Sequence, residues 1–359
     1  MSLDTGQDLV TILRSVVDIE SVSGNERELA DQVEHLLQAQ PHLAVSRHGD
    51  TVVARTELGR AERVVIAGHL DTVPVADNLP SSLGQVDGVE VVFGRGTCDM
   101  KGGVAVMLKV ACELPAPARD VTWIFYDNEE VESSKNGLGR LGRERPDLLE
   151  ADFAVLMEPT GASVEGGCQG TMRIQVQTKG IAAHSARSWM GHNAIHDLAA
   201  VLQRIGDYDI GEVVVDGLTY HEGLNAVAVS GGIAGNVIPD RAQVNINYRY
   251  APDKDAATAE ALMRAHFADW DVVVLDNAGG ARPGLDRPAA KAFVEAVGAQ
   301  PRAKYGWTDV ARFSELGVPA VNFGPADPSK AHADDEFCPV ADLDTCHEAL
   351  VRWLTQEDS

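Results

Sequence analysis

Four short apolar runs, each ending in polar residues, constrain the fold of this chain more than any other feature. Their hydrophobicity is continuous rather than alternating, which is what strands buried on both faces of a sheet require. A buried helix is predicted over 102–111, between the first two runs. The resulting order of strand, helix and strand predicts an α/β fold with a mostly parallel sheet covered by helices. The runs are RVVIAGHLD (63–71), DVTWIFYDNEE (120–130), ADFAVLMEPT (151–160) and VPAVNFGP (318–325).

A different pattern occupies the middle of the chain, between residues 170 and 278. Strand-like alternation in TMRIQVQTKG, LNAVAVSGGIAG and RAQVNINYRY is combined with two amphipathic helical segments, which predicts an α+β module with an antiparallel sheet. A chain of 359 residues is long enough for two domains. We therefore expect a discontinuous catalytic domain, 1–169 and 279–359, with 170–278 as an inserted domain.

Two amphipathic helices are predicted before the first apolar run. Ser23 and Glu26 stand three residues apart ahead of the second helix. This is the spacing of a capping box, in which each side chain accepts a hydrogen bond from the backbone N–H of the other residue. We expect the pair to cap this helix.

Charge and composition argue against several classes of protein. Acidic residues outnumber basic ones by 54 to 30, and nucleic-acid binding rests on Lys and Arg displacing counterions, so no nucleic-acid partner is expected. No segment approaches about 18 uncharged apolar residues, and the N-terminus lacks a basic stretch followed by an apolar one. We expect a cytoplasmic protein without a membrane partner. The five scattered cysteines lack a Cys-x-x-Cys pair and are predicted to be reduced packing residues.

Side chains that can bind metals stand where the predicted strands end. In an open α/β sheet, the reacting groups gather at the carboxyl ends of the strands. Taken singly, each of these residues has an ordinary explanation as part of a capped turn or a solvated loop. Together they form a candidate site. His69 and Asp71 follow the first run, Glu129 and Glu130 the second, Glu158 the third and His332 the fourth, while Asp99 lies in the glycine-rich turn GRGTCDMKGG.

These residues are of the types that a pair of zinc ions needs. Zinc takes imidazole nitrogen and carboxylate oxygen, and two zincs about 3.5–4 Å apart need a bridging carboxylate. We expect two zinc ions per chain, with cobalt(II) as a possible substitute. The expected bridge is Asp99, with His69 and Glu158 on one ion and Glu130 and His332 on the other.

The remaining polar residues at the strand ends suit proton chemistry. Adjacent side chains of an extended chain point apart, so Glu129 and Glu130 are not expected to face the same metal. We predict that Glu129 is a general base, which takes a proton from a water between the metals and passes it to a leaving amine. Asp71, two residues after His69, is expected to orient its imidazole. The sequence thus predicts a metal-dependent hydrolase of an amide bond.

The motifs that carry these residues resemble those of the co-catalytic zinc aminoacylase and carboxypeptidase family over nearly the whole chain. This resemblance implies the ligand and base roles given above, a dinuclear catalytic domain, and an inserted lid that forms a homodimer interface. It also implies that His184 reaches into the active site of a second subunit and stabilises the oxyanion. The motifs are GHLDTVP (68–74), GRGTCDMKGG (94–103), DNEE (127–130), MEPT (157–160), GIAAHSA (180–186), NVIPD (236–240), WTDVARF (307–313) and AHADDE (331–336).

Three segments, 166–171, 182–196 and 307–313, suggest a substrate within this family. They are most similar to the members from high-GC Gram-positive bacteria that hydrolyse N-succinyl-LL-2,6-diaminopimelate to succinate and LL-diaminopimelate, on the route to lysine. The implied substrate is a carboxylate-bearing N-acyl amino acid, and arginine forks bind carboxylates well. Gly235 stands where some relatives carry a second asparagine, so the amide donor stays open. The implied anchors are Arg249, Asn236, Thr308 and, as a further candidate, Arg187.

Other functions remain open at this point. The metal motifs suit an acetylornithine deacetylase, a dipeptidase or a carboxypeptidase equally well. A non-catalytic binding protein with the same fold is a further alternative. Loss of activity usually removes a ligand or the base, whereas Glu129 and all the expected ligands are present, which favours an enzyme.

Overall fold

The computed structural model describes residues 3–356, which divide into two compact units. The first unit runs up to Gly166 and continues through Pro283–Arg302 and from Asp309 onward. The second comprises Gly167–Arg282 and Ala303–Thr308. The expected insertion, 170–278, lies inside this second unit.

The segment Ala303–Thr308 differs from the predicted boundary, which assigns it to the catalytic domain. The backbone N–H of Gln169 donates to the carbonyl of Lys304 at 3.2 Å, and the indole of Trp307 donates to the carbonyl of Gly279 at 3.0 Å. These bonds join the segment to the second unit. Local sequence pattern does not reveal such pairings because the partners lie far apart in the chain.

The helices and strands are numbered in chain order. The helices are α1 (Leu9–Val17), α2 (Arg27–Gln38), α3 (Gly102–Glu113), α4 (Gly137–Glu144), α5 (Ala194–Gly206), α6 (Ala256–His266), α7 (Pro288–Val297), α8 (Val310–Glu315) and α9 (Val340–Thr355). The strands are β1 (Ala44–His48), β2 (Thr51–Arg55), β3 (Arg63–His69), β4 (Ser82–Val86), β5 (Val89–Phe93), β6 (Asp120–Tyr126), β7 (Phe153–Leu156), β8 (Glu165–Gly166), β9 (Gly170–Lys179), β10 (Ala183–His184), β11 (Glu212–Val215), β12 (Leu218–His221), β13 (Gly223–Gly231), β14 (Val237–Ile238), β15 (Arg241–Tyr250), β16 (Asp271–Ala278), β17 (Arg302–Ala303), β18 (Ala320–Asn322) and β19 (Phe337–Pro339).

The first unit is built on a mixed sheet of eight strands in the order β1-β2-β6-β3-β7-β18-β8-β17. Its centre is parallel, because β3 pairs in parallel with β6 and β7, and β18 with β7. The strands β1, β2 and β8 pair antiparallel. Strand β6 is buried along its whole length, which accounts for its continuous hydrophobicity. The predicted α/β fold with a mostly parallel sheet is confirmed.

Helices cover this sheet with the faces that their sequences predict. The helix α1 is amphipathic, as predicted, and α3 is buried along most of its length. The buried stripe of α1 is Leu9, Ile12, Leu13, Val16 and Val17. The indole of Trp353 in α9 packs against Phe293 of α7 and Phe153 of β7, with ring centroids 4.9 and 5.9 Å apart. The main core includes buried residues of α3, α7 and α9.

The capping box predicted at the start of α2 is wrong. The helix begins at Arg27, and Glu26 occupies the cap position without a side-chain cap bond. The Ser23 hydroxyl instead donates to the carboxylate of Asp71 at 2.7 Å. Tertiary partners have therefore replaced the local capping pattern.

The second unit contains a four-stranded antiparallel sheet in the order β13-β15-β9-β16. Strands β9 and β15 alternate between buried and more exposed residues, as the sequence pattern predicts. Their buried residues, such as Ile174 and Val244, share a core with Leu198 of α5 and Met263 of α6. This unit is an α+β module with its own core.

Two further expectations concern membranes and cysteines. Within the described residues, no helix combines the length and the apolar character needed to cross a membrane. The five cysteines are all free thiols, and four of them are buried. The four buried cysteines are therefore packing residues, as predicted.

Candidate metal centre

The predicted ligands come from neighbouring strand ends. His69 is the last residue of β3, which pairs in parallel with both β6 and β7. Glu129 and Glu130 follow β6, and Glu158 follows β7. Because the carboxyl ends of parallel strands share one edge of a sheet, this topology gathers the side chains.

Asp99 lies between the two histidines. It belongs to the turn Thr97–Lys101, in which its own backbone is extended, and this turn follows Gly96 in a left-handed conformation with φ of 82°. One carboxylate oxygen of Asp99 lies 3.1 Å from Nε2 of His69, and the other lies 3.4 Å from Nε2 of His332. The two oxygens of a single carboxylate therefore face two different imidazoles.

The ligand atoms form two groups that share Asp99. In the first group, atoms of His69, Asp99 and Glu158 all lie within 4.8 Å of one another. In the second, atoms of Asp99, Glu130 and His332 do so, and Nε2 of His332 lies 2.9 Å from the Glu130 carboxylate. This is the division that the sequence predicts for two metal ions with a bridging carboxylate.

Glycines allow the segment that carries Glu158 to be packed tightly. A β-carbon on Gly324 would lie 2.6 Å from the carbonyl oxygen of Glu158, and a β-carbon on Gly103 of α3 would lie 2.7 Å from the β-carbon of Met157. Both distances are too short for real contacts, so any larger residue would push the segment away. The glycines therefore fix the position of Glu158.

The argument from an extended chain predicts that the side chains of Glu129 and Glu130 point apart, but in the structure they do not. Strand β6 ends at Tyr126, and Asn128 adopts a left-handed φ of 58°. Oxygens of both glutamates then lie within 4.8 Å of each other and of a His69 nitrogen. The side chains lie together because the chain has already turned before it reaches them; that only one of the two binds a metal stays a prediction.

Asp71 contacts the turn that carries Glu129 and Glu130 as well as the imidazole of His69. Its buried carboxylate accepts the backbone N–H of Glu129 at 2.9 Å and that of Glu130 at 3.0 Å. Nδ1 of His69 bonds to the backbone carbonyl of Asp71 at 3.0 Å, whereas the Asp71 carboxylate lies 3.6 Å away. Asp71 thus orients His69 through its main chain, and its carboxylate holds the predicted base and a predicted ligand.

Sequence reasoning did not assign Ser23 and Glu26 to the site. Ser23 donates to the Asp71 carboxylate, and buried Glu26 accepts the N–H groups of Gly24 at 2.9 Å and Asn128 at 3.1 Å. Both residues therefore support the turn that carries Glu129. Their spacing suits a helix cap equally well, so no local signal separates the two roles.

The pKa values show a site rich in negative charge. Burial raises the pKa of Glu129 well above its ordinary value, and the nearby carboxylates of Asp309 and Glu158 raise it further. Burial opposes protonation of His69, yet Asp99 and Asp71 raise the pKa of the imidazole well above its ordinary value. Without metal ions, a proton on the imidazole balances these carboxylates.

His332 and Asp99 show the same balance. The bonds to Asp99 and Glu130 raise the pKa of His332 to about 10. Burial alone would raise the pKa of Asp99, but the bonds from His332 and His69 hold it well below its usual range. Divalent cations can replace the balancing protons, because imidazole nitrogen and carboxylate oxygen are ligands that zinc takes. The donor set therefore fits two divalent metal ions.

The predicted substrate residues all belong to the second unit. His184 in β10 pairs with Val237 of β14, and the N–H of Ser185 donates to the carbonyl of Asn236 at 2.9 Å. The structure thus brings His184 and Asn236 together. Arg187 is exposed, and Thr308 is buried.

Arg249 lies in β15, between Gly223 of β13 and Thr171 of β9. Its guanidinium donates to the side-chain oxygen of Asn247 at 3.2 Å, and burial lowers its pKa. Among residues 3–356, no carboxylate forms an ion pair with it. The side chain is therefore a half-buried cation.

Comparison with known families identifies the fold family. Residues 65–356 match the model of peptidase family M20/M25/M40, which is more than half of the chain. The chain belongs to this family. The resemblance expected from the motifs is confirmed.

Two relatives of this M20 family chain match it from end to end. One, from Mycobacterium tuberculosis, carries the name "Putative succinyl-diaminopimelate desuccinylase DapE"; it is 52% identical over 98% of this chain and 99% of its own length. The other is the succinyl-diaminopimelate desuccinylase of Corynebacterium glutamicum, which is 45% identical over 99% of this chain and 98% of its own length.

Solved structures of more distant proteins share the M20 fold. A tripeptidase from Staphylococcus aureus aligns with a TM-score of 0.78 and 20% identity, over 99% of this chain and 98% of its own. A dinuclear metal binding peptidase of the M20 family from Bacillus subtilis aligns with a TM-score of 0.71 and 16% identity, over 96% of both chains. At these identities the likeness establishes the fold alone.

Proposed function

We propose that this chain is a zinc-dependent amidohydrolase that converts N-succinyl-LL-2,6-diaminopimelate and water to succinate and LL-2,6-diaminopimelate, on the route to diaminopimelate and lysine. The observation that carries the substrate is the end-to-end identity of 45% to 52% with relatives named for this reaction. The two ligand groups that share Asp99 support the reaction type.

Two zinc ions per chain suit the donor set. His69 and Glu158 would hold one, Glu130 and His332 the other, and Asp99 both. Bound zinc polarises the scissile carbonyl and makes water more acidic. Cobalt(II) accepts the same nitrogen and oxygen ligands and is the proposed substitute.

Glu129 is the proposed general base. It takes a proton from the attacking water and gives it to the amine nitrogen as the C–N bond breaks, so that succinate and a free amine leave. A carboxyl with a raised pKa suits this transfer, because it holds the proton taken from water more readily than an ordinary glutamate does until the proton passes to the amine. Asp71 holds Glu129 through its backbone N–H.

His184 is proposed to stabilise the oxyanion across a dimer. Its Nδ1 accepts the N–H of Ala186 at 3.0 Å, so a neutral ring carries its proton on Nε2. Nε2–H is therefore available as a donor to a developing negative charge. Arg249 is the proposed carboxylate anchor, with Asn236 and Thr308 as hydrogen-bond donors and Arg187 as a further candidate.

The proposed partner is a second copy of this chain, bound through the second unit. Strand β13 is an edge strand, and Val227 and Val229 on it are 58% and 55% exposed. Trp189, Met190 and Ile233 of the same unit are even more exposed. Unpaired edge strands with apolar side chains favour association. The cytoplasmic location and the lack of a nucleic-acid partner also remain predictions.

A hydrolysis panel tests the substrate proposal. Zinc-loaded protein is given N-succinyl-LL-2,6-diaminopimelate, N-acetylornithine and simple dipeptides, and amine release is measured. We expect kcat/KM to be highest for the succinylated substrate. Preferred hydrolysis of N-acetylornithine or of a dipeptide would instead assign the chain to an acetylornithine deacetylase, a dipeptidase or a carboxypeptidase.

A further inference from the structure

A buried ion pair joins two motifs that the proposed reaction does not use. Arg95 in GRGTCDMKGG is 3% exposed, and Glu336 at the end of AHADDE is 1% exposed. Nη1 of Arg95 lies 2.9 Å from a carboxylate oxygen of Glu336. Burying charges is costly unless further hydrogen bonds satisfy them, so the other partners of this pair are informative.

Glu336 holds the turn that carries Asp99. Its Oε1 accepts the backbone N–H of Cys98 at 3.0 Å and that of Asp99 at 3.1 Å. Two successive backbone donors on one oxygen fix the orientation of the peptide between them. The carboxylate that both ligand groups share is therefore positioned by a residue 237 positions later in the chain.

Arg95 connects this turn to two loops. Its Nε donates to the carbonyl of Pro74 at 3.0 Å, in the loop that follows His69. Its Nη1 donates to the carbonyl of Ala333 at 3.1 Å, directly after His332. The pair thus binds the backbone beside Asp99 and beside His332 at the same time.

The two ligand groups depend on this pair to different degrees. His69 and Glu158 are buried at strand ends and are held by the sheet. His332 lies in a loop with a left-handed φ of 65°, and its side chain is 51% exposed, so packing holds it weakly. The distance between the His332 imidazole and the Asp99 carboxylate is therefore set mainly by the two backbone segments that the ion pair binds.

We infer that Arg95 and Glu336 form a positioning pair that sets the metal affinity of the Asp99–Glu130–His332 group and acts less on the His69–Asp99–Glu158 group. This inference rests on the proposed dinuclear centre. Neither residue contacts the reacting atoms, and the pair acts through Asp99 and His332.

Zinc titration of the metal-free, full-length protein tests the pair by calorimetry. The variants are Arg95→Met and the double variant Arg95→Met/Glu336→Gln. The glutamine keeps an amide oxygen for the N–H groups of Cys98 and Asp99 while both buried charges are removed. The matched control is Arg145→Met, because the one ion pair of Arg145 within residues 3–356 is with exposed Asp147.

We expect the single variant to unfold at a lower temperature, because it leaves the Glu336 charge buried without its partner. The double variant should recover most of that loss, yet its second zinc should bind about 10–100-fold more weakly, while its first zinc binds as in the unmodified protein. The control should retain both zinc affinities. A recovered unfolding temperature together with a weakened second zinc would distinguish a positioning role of the pair from a general effect on folding.

Two results would overturn the inference while leaving the dinuclear proposal intact: a double variant that binds both zincs as tightly as the unmodified protein, or one that loses both affinities equally. If the unmodified protein itself binds fewer than two zincs, the dinuclear proposal fails, and the inference fails with it. The two failures are therefore distinguishable in one experiment.

Discussion

The substitution Asp71→Asn tests how the turn with Glu129 and Glu130 is held. The Asp71 carboxylate is fully buried. One oxygen accepts the N–H of Glu129 at 2.9 Å, and the other accepts the N–H of Glu130 at 3.0 Å and the hydroxyl of Ser23 at 2.7 Å. Asparagine keeps one acceptor but places an NH₂ group where the second oxygen stands.

The magnitude follows from these bonds. If the amide oxygen keeps the N–H of Glu129, the NH₂ group faces the N–H of Glu130, and the unsatisfied donor costs about 1–3 kcal/mol. The remaining backbone bond becomes neutral instead of charge-assisted, which costs about 1 kcal/mol more. We expect the free energy of unfolding to fall by about 2–4 kcal/mol, and kcat and zinc affinity to fall by about 10–100-fold.

Asp120→Asn is the matched control for this prediction. Asp120 is also buried, and its carboxylate accepts the hydroxyl of Thr56 and the backbone N–H groups of Leu58 and Arg60. It begins β6, about 20 Å along the strand from the end that carries the site. We expect a comparable loss in urea unfolding with normal kcat and zinc affinity. Equal catalysis in both variants would refute the proposed role of Asp71.

Three further predictions concern the base, the dimer and the metal. Glu129→Gln should keep its zinc but lose turnover by about 10²–10⁴-fold, and near-normal turnover would place the base elsewhere. His184→Ala should remain a folded dimer by sedimentation with kcat lowered by about 10²–10³-fold, and an unaffected rate would exclude the cross-subunit role. Zinc affinity should rise with pH below the His332 pKa of about 10, because zinc displaces its proton; for each displaced proton the rise should approach about one log unit per pH unit. A pH-independent affinity by calorimetry would contradict that coupling.

Much of the fold could be predicted because a buried strand or helix face has a recognisable pattern of apolar residues in the local sequence. The continuous apolar run of β6 reflects a strand that is buried from end to end. The strand-end positions of His69 and Glu158 followed from the same pattern, since parallel strands share one edge. The sequence pattern was therefore enough to select candidate ligands that the structure brings together.

The hydrogen bonds and ion pairs that hold the candidate ligands in place could not be predicted, because they depend on contacts between distant segments. The left-handed turn at Asn128 brings Glu129 and Glu130 together, and no motif marks it. The bonds of Ser23 to Asp71 and of Arg95 to Glu336 span 48 and 241 positions. Sequence shows the residue types at both ends of such contacts but not their pairing.

The most direct test of the central claim is the rate of succinate release from N-succinyl-LL-2,6-diaminopimelate as zinc is added back to chelated protein. We predict negligible release without metal and a rate that rises until about two zincs are bound per chain. Full activity in the chelated protein, or no succinate release at full zinc occupancy, would contradict the account.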